Sequence, residues 1–318
     1  MTLSTSFPTQ DSAGQSITDT RRVFAGLVVG SAAGVPRWGI LPNHTNPIVT
    51  GRASMGYDVG PFVAATGRQA GGVELVANDG TMTVATDAAP NANSRIDIIY
   101  VQCRFTSYTD SANTPVLGVA RGVPNASPVA PSIPAGALAL ASAVVTSADL
   151  TTSTVVITQI APYTAMEGGT VLLRNQAEQD AWAPHAGSEA YRLDLGKRAV
   201  RVGGAWGLEA SPSIAPTSGV AIDAETVISR DAYGQVSGYL AATTTGGGSW
   251  SAAGLVGVLP AGFRPTSSIS FLHRSYTAAF ANTVNLGRID PNGEIWVNLV
   301  AAAGQTIARG PFFFKAAA

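Results

Sequence analysis

The chain has 318 residues with 19 Lys and Arg against 20 Asp and Glu, a formal net charge of -1, so the basic surface that nucleic acid or an anionic membrane requires is missing. Charged residues make up 12% of it, about half of the ~25% usual for soluble domains, which points to surface covered by other protein. The length allows two or three domains, and the single cysteine, Cys103, excludes an intrachain disulfide and a thiolate metal cluster.

Residues 1–46 read as an N-terminal arm followed by a short helix. Ser16 stands three residues before Asp19, the spacing of an N-cap. Val23, Leu27 and Val28 recur at helical spacing, so a helix is expected over Asp19 to Val29. Apolar residues in so short a segment have little to bury against, which makes Arg22, Phe24 and Leu27 candidates for docking on a partner. The run VFAGLVVGSAAGV spans 13 residues, short of the roughly 20 a membrane helix needs. No signal peptide and no membrane insertion are expected.

Residues 47–165 alternate short β-favouring runs with turn residues, the pattern of a β-sandwich domain. Asn78-Asp79-Gly80, between VELVA and TMTVAT, has hairpin-turn chemistry. Arg95 and Asp97, two apart in RIDIIYVQC, share one strand face and are expected to pair with each other or hold a neighbouring loop. Cys103 ends the same apolar run and reads as a buried, inert thiol. VPNASPVAPSIPAG, with four prolines, cannot pair as a central strand and should run extended over the surface.

Residues 166–212 read as a small helix-plus-hairpin spacer module. RNQAEQDAWA is helix-compatible, and EAYRLDLGKRAVRVGGAW is a hairpin turning at Leu195-Gly196-Lys197. Residues 213–318 read as a second β-sandwich-like domain, punctuated by Gly246-Gly247-Gly248 and Asn292-Gly293. In VLPAGFRPTSSISF, Pro260 and Pro265 fix φ and Gly262 permits a tight bend, so one strand turns sharply into the next with Phe263 anchoring the corner.

In EIWVNLV, Ile295, Val297 and Leu299 share the core face, so Trp296 points the other way with Glu294 and Asn298. Three readings of that ring stay open: cover by a second layer of the same subunit, a subunit interface, or a stacking platform for a glycan. Little else suggests chemistry. His44, His185 and His273 lack metal-site spacing, no G-x-S-x-G elbow is present, and GGGSW lacks the strand-to-helix setting of one. DPNGE departs from a calcium loop in its glycine position and its missing final acid. No cofactor and no metal are expected.

Several stretches together resemble a known family. DTRRVFAGL, GVPRWGIL, GGVELVANDGTMTVAT running into SRIDIIYVQ, and PSIPAGALALASAVV resemble, in that order, the minor tail or baseplate proteins of long-tailed bacteriophages infecting actinobacteria. VLLRNQAEQDAW followed by AYRLDLGKRAVRVGGAW resembles the small module that often follows there, and LPAGFRPTSSISF with DPNGEIWVNL is similar to the C-terminal β-domain of tail fibres. The resemblance implies an all-β, multidomain virion protein of the tail tip or baseplate, assembled as a homotrimer. Its partners would be itself, other tail proteins and, as a further ligand, host cell-surface glycan.

On this reading Arg22, Phe24 and Leu27 dock to the tail, Trp296, Glu294 and Asn298 form an interface or glycan contact, and the protein is not an enzyme. No collagen-like stalk or long heptad run separates the domains, which favours a compact baseplate component over a long fibre. A tail-associated glycan depolymerase and a bacterial surface adhesin are the alternatives.

Overall fold

The computed structural model describes residues 3–5, 16–32, 34–68, 72–245, 253–277, 282–298 and 305–317. The expected turn at Gly246-Gly247-Gly248, the GGGSW stretch, Leu299 and most of the N-terminal arm lie outside them. Strands hold 48% of the described residues and helix 7%, so the fold is all-β and multidomain. Two compact units divide it, Met1–Gly196 and Lys197–Ala318. The division falls inside the stretch 166–212, whose first part belongs to the first unit and whose second part to the other.

The first unit begins, among described residues, with Leu3–Thr5 paired antiparallel to Glu74–Asn78. Its helix spans Ile17–Ala25, and the Ser16 hydroxyl caps it by accepting the Asp19 N–H at 3.0 Å. Gly26 ends the helix, and Val28 already bridges to Met166. The helix is thus earlier and shorter than expected, and a different face is buried. Ile17, Thr20 and Arg21 point inward and Phe24 packs on the core, while Val23 is 75% exposed. Hydropathy misreads this face because a charged residue, Arg21, occupies it.

Glu74–Asn78 pairs with Phe62–Thr66, and Gly39–Ile40 completes that four-stranded sheet. Met82–Ala85 instead pairs with Ser54–Val59, beside Val49–Arg52, in a separate three-stranded sheet. Asn78-Asp79-Gly80 is therefore a crossover between sheets and not a hairpin. Asn78 is buried, and its amide donates to the carbonyls of Val59 and Gly60 at 3.2 and 2.8 Å, which ties the crossover to the neighbouring strand.

A third sheet orders Val116–Arg121, Ser94–Gln102, Ala137–Thr146 and Val156–Gln159. Its inward residues, among them Ile99, Val101 and Leu140, join Ile40, Tyr57 and Phe62 in one core that also holds Cys103. Burial of apolar side chains between the layers is what stabilises this sandwich. The proline-rich stretch runs over the surface as expected, with Val123 and Val129 exposed. Farther on, Asn175 caps the helix Gln176–Asp180 by accepting the Glu178 N–H at 3.0 Å. Trp182 follows, fully buried, with its indole N–H donated to the Gly30 carbonyl at 3.0 Å. Gly196 adopts φ +63° at the expected turn.

In the second unit one nine-stranded sheet runs from Ala215–Pro216 through Ala253–Val258, Glu294–Asn298, Asn282–Ile289, Ile269–Thr277, Gln305–Lys315 and Gln235–Thr244 to Val220–Ile222. Val227–Arg230 also pairs with Gln235–Thr244. Inward side chains from these strands, including Leu240, Val256, Phe271, Ile289 and Phe312, make one core. Two glycines let aromatic rings lie on the backbone: a Cβ on Gly238 would sit 2.4 Å from Phe312 Cζ, and one on Gly287 2.4 Å from Phe271 Cζ. The PAGFRP turn forms as expected. Gly262 takes φ +82°, the Phe263 N–H reaches the Pro260 carbonyl, and the Phe263 ring enters the core under the Arg230 guanidinium.

Candidate functional site

Strand parity around Trp296 is as the sequence predicts for the described residues. Ile295 and Val297 are fully buried, and Trp296 between them is half-buried on the opposite face. Its indole N–H donates to Glu294 Oε2 at 3.1 Å. Arg288, directly opposite on the adjacent strand, places its guanidinium 5.2 Å from the ring centroid, and Leu255 stands opposite on the other side. Glu294 and Trp296 are thus brought together. The backbone of Asn298 belongs to the same strand, but its side chain lies outside the described residues. Part of the surface that a stacking ligand would use is already occupied by Arg288.

The same face continues across the sheet, where sequence reasoning did not find it. Leu272 and Leu286 are opposite neighbours, as are Val284 and Arg274, Arg274 and Arg309, Tyr239 and Pro311, and Val227 and Tyr239. Val227, Tyr239, Leu272, Val284, Leu286 and Phe313 are all exposed large hydrophobics on this outward side. A shallow depression of about 430 Å³ lies among Tyr239, Leu272, Arg274, Val284, Arg309 and Pro311. Two of the arginines are neutralised locally, Arg288 by Asp290 at 3.0 Å and Arg309 by Glu225 at 3.1 Å and Asp223 at 3.9 Å. The Ser268 hydroxyl and then Arg288 hold the Asp290 carboxyl below its ordinary range. The available signal was the run PFFFK, in which Phe312 and Phe314 cannot share a face with Phe313.

At the N-terminal helix Arg22 and Leu27 are exposed, whereas Phe24 is half-buried against the core of its own unit. The three proposed docking residues therefore do not form one free face. Arg22 instead lines an open groove of about 620 Å³ with Val28, Val35, Pro36, Glu167 and His185. At its edge His185 Nδ1 lies 2.8 Å from the Ala186 carbonyl and Nε2 3.2 Å from Glu167 Oε1. The carbonyl and then the carboxylate raise the imidazole above its ordinary value of 6.5.

Buried charge pairs lie inside the first unit and hold the fold. Arg95 Nε donates to Asp97 Oδ1 at 2.8 Å, as expected from their spacing. The same carboxylate accepts from Tyr57 and Thr86, while Arg95 reaches the carbonyls of Asp87 and Ala88. Burial first, and then the Asp97 charge, push the Tyr57 phenol far up. Arg21 pairs with Glu74 at 2.5 Å, both side chains 1% exposed. The Arg21 and Arg68 guanidiniums lie 5.3 and 5.1 Å from the Tyr108 ring centroid. Arg68 also grips Asp110 at 2.6 Å. Burial raises the Glu74 carboxyl against the pull of Arg21. Both pairs lie in the interior, with side chains 5% exposed or less, which makes these networks structural.

Among the described residues no group of three or more His, Cys, Asp or Glu side chains could hold a metal ion, and no helix is long and apolar enough to cross a membrane. Asp290 and Asn292 belong to a hairpin turn, in which the Gly293 N–H meets the Asp290 carbonyl at 2.8 Å. No protein-family model matches the chain, and no curated protein matches it.

Proposed function

We propose that this chain is a structural component of a long-tailed bacteriophage tail tip or baseplate, where it scaffolds the assembly and contributes to host-surface attachment as a homotrimer. The observation that carries the reading is the outward sheet face of the second unit, six large apolar side chains on an all-β scaffold. Such a face is suited to contact with protein and unsuited to chemistry. The sequence resemblance supplies the virion context. In this role several weak host contacts on a symmetric assembly raise avidity by orders of magnitude without one tight site. Neighbouring tail proteins would meet the N-terminal region around Arg22 and Leu27, and host glycan would meet the second unit.

Immunogold electron microscopy of purified particles, with antibody raised against the full chain, tests this placement. Gold at the distal end of the tail is the expected result. Particles that lack the chain, or carry it only on the capsid, overturn the reading.

A further inference from the structure

We infer that the outward face centred on Leu272, Val284, Leu286 and Phe313 is covered by the equivalent face of neighbouring copies of this chain. The inference rests on the self-assembly part of the reading above and assigns the surface that performs it.

Strand parity defines the face. Along Ile269–Thr277 the residues Phe271, His273 and Ser275 are buried, and Leu272 and Arg274 between them are exposed. On the neighbouring strand Asn285 and Ile289 are buried while Val284 and Leu286 are 61% and 54% exposed. On Gln305–Lys315, Phe312 and Phe314 enter the core while Phe313 is 67% exposed. A solvated sheet face normally carries polar residues at these alternate positions. Here Val227, Tyr239, Leu272, Val284, Leu286 and Phe313 share the outward positions with Arg274, Arg288, Arg309 and Lys315, an apolar content above that of an ordinary solvated face.

Area and charge select the occupant. The six exposed side chains present on the order of 600 Å² of apolar surface, the upper end of what a lone monomer shows. With the arginine stems and Trp296 at the margin, the face approaches the roughly 800 Å² per partner of a stable interface. Charges on the face are largely cancelled within it, since Arg288 pairs with Asp290 and Arg309 with Asp223 and Glu225. Arg274 and Lys315 make no ion pair among the described residues. A face without strong net charge neither seeks a polyanion nor repels its own copy. A largely apolar face whose arginines are mostly paired, with Arg274 and Arg309 set among the apolar side chains, fits a homo-oligomer interface, where Arg is enriched.

The test is the mass of the full chain by sedimentation at micromolar concentration, for the wild type, Leu272→Asp/Leu286→Asp, Leu272→Ala/Leu286→Ala, and Val156→Asp. Val156 is exposed in the first unit and serves as the control. The wild type and the control are expected as oligomers of the 32.4 kDa chain. The aspartate pair is expected at monomer mass, and the alanine pair to associate about 100-fold more weakly. Circular dichroism reports folding. If the aspartate pair fails to fold, the alanine pair, which adds no charge, decides. An oligomer that ignores the alanine substitutions overturns the face and leaves self-assembly standing. A monomeric wild type overturns both, while the gold labelling judges the virion placement separately.

Discussion

Leu272 and Leu286 stand directly opposite each other on adjacent antiparallel strands, 60% and 54% exposed, while their sequence neighbours Phe271 and Gly287 meet on the reverse side with the ring in the core. One pair of strands therefore carries two apolar faces, only one of which the unit itself covers. Phe271→Ala should destabilise the chain by about 3–5 kcal/mol through cavity formation. Leu272→Ala should change the stability of dissociated chains by less than about 0.5 kcal/mol. Urea unfolding of both variants at concentrations low enough to dissociate any oligomer measures the difference.

Trp296 is intermediate between these cases. Its ring is held by Arg288 and Glu294, and not by the core. Trp296→Ala should leave the chain folded and cost about 1–2 kcal/mol, the range of a partly desolvated cation–π contact. Ile295→Ala, one residue away and fully buried, should cost about 2–5 kcal/mol. A loss at Trp296 as large as that at Ile295 would mean the indole belongs to the core.

The two ion pairs on the strand Ser94–Gln102 and its neighbour should behave oppositely. Asp97→Ala strands Arg95 and the Tyr57 hydroxyl in the interior and should cost about 3–5 kcal/mol. Arg121 pairs with Asp87 with both side chains about half exposed or more, so Arg121→Ala should cost under about 1 kcal/mol. Thermal unfolding of the two variants side by side makes the comparison.

What the sequence made legible was local. Ser16 and Asp19 announced a cap, Gly262 and Asn292-Gly293 announced turns, and the alternation of Ile295 and Val297 fixed which way Trp296 points. What it hid depended on distant partners. Turn chemistry at Asn78-Asp79-Gly80 does not say which strand the chain joins next, and Met82–Ala85 pairs with Ser54–Val59 instead of its neighbour in sequence. The burial of Arg21 has no local signal because its partner, Glu74, lies 53 residues away. The outward face went unread because apolar residues at both parities, as in PFFFK and SISFLH, cancel the period-two signal that marks a face.

His185 gives a pH-dependent readout at the N-terminal groove. Its raised value means that its contacts to the Ala186 carbonyl and Glu167 favour the folded state below pH 6.5 and lose that contribution as pH rises through the folded value. Proton NMR should show the His185 imidazole titrating with a midpoint above 6.5, and Glu167→Gln should lower it. A midpoint unchanged by that substitution would detach the carboxylate from the ring.

The most direct measurement is an electron-microscopy map of the intact particle that resolves side chains. The account predicts three copies of the chain at the tail tip or baseplate, with Leu272, Val284, Leu286 and Phe313 of each copy covered by its neighbours. A map in which the chain is absent from the tail, or in which that face stands open to solvent, would contradict it.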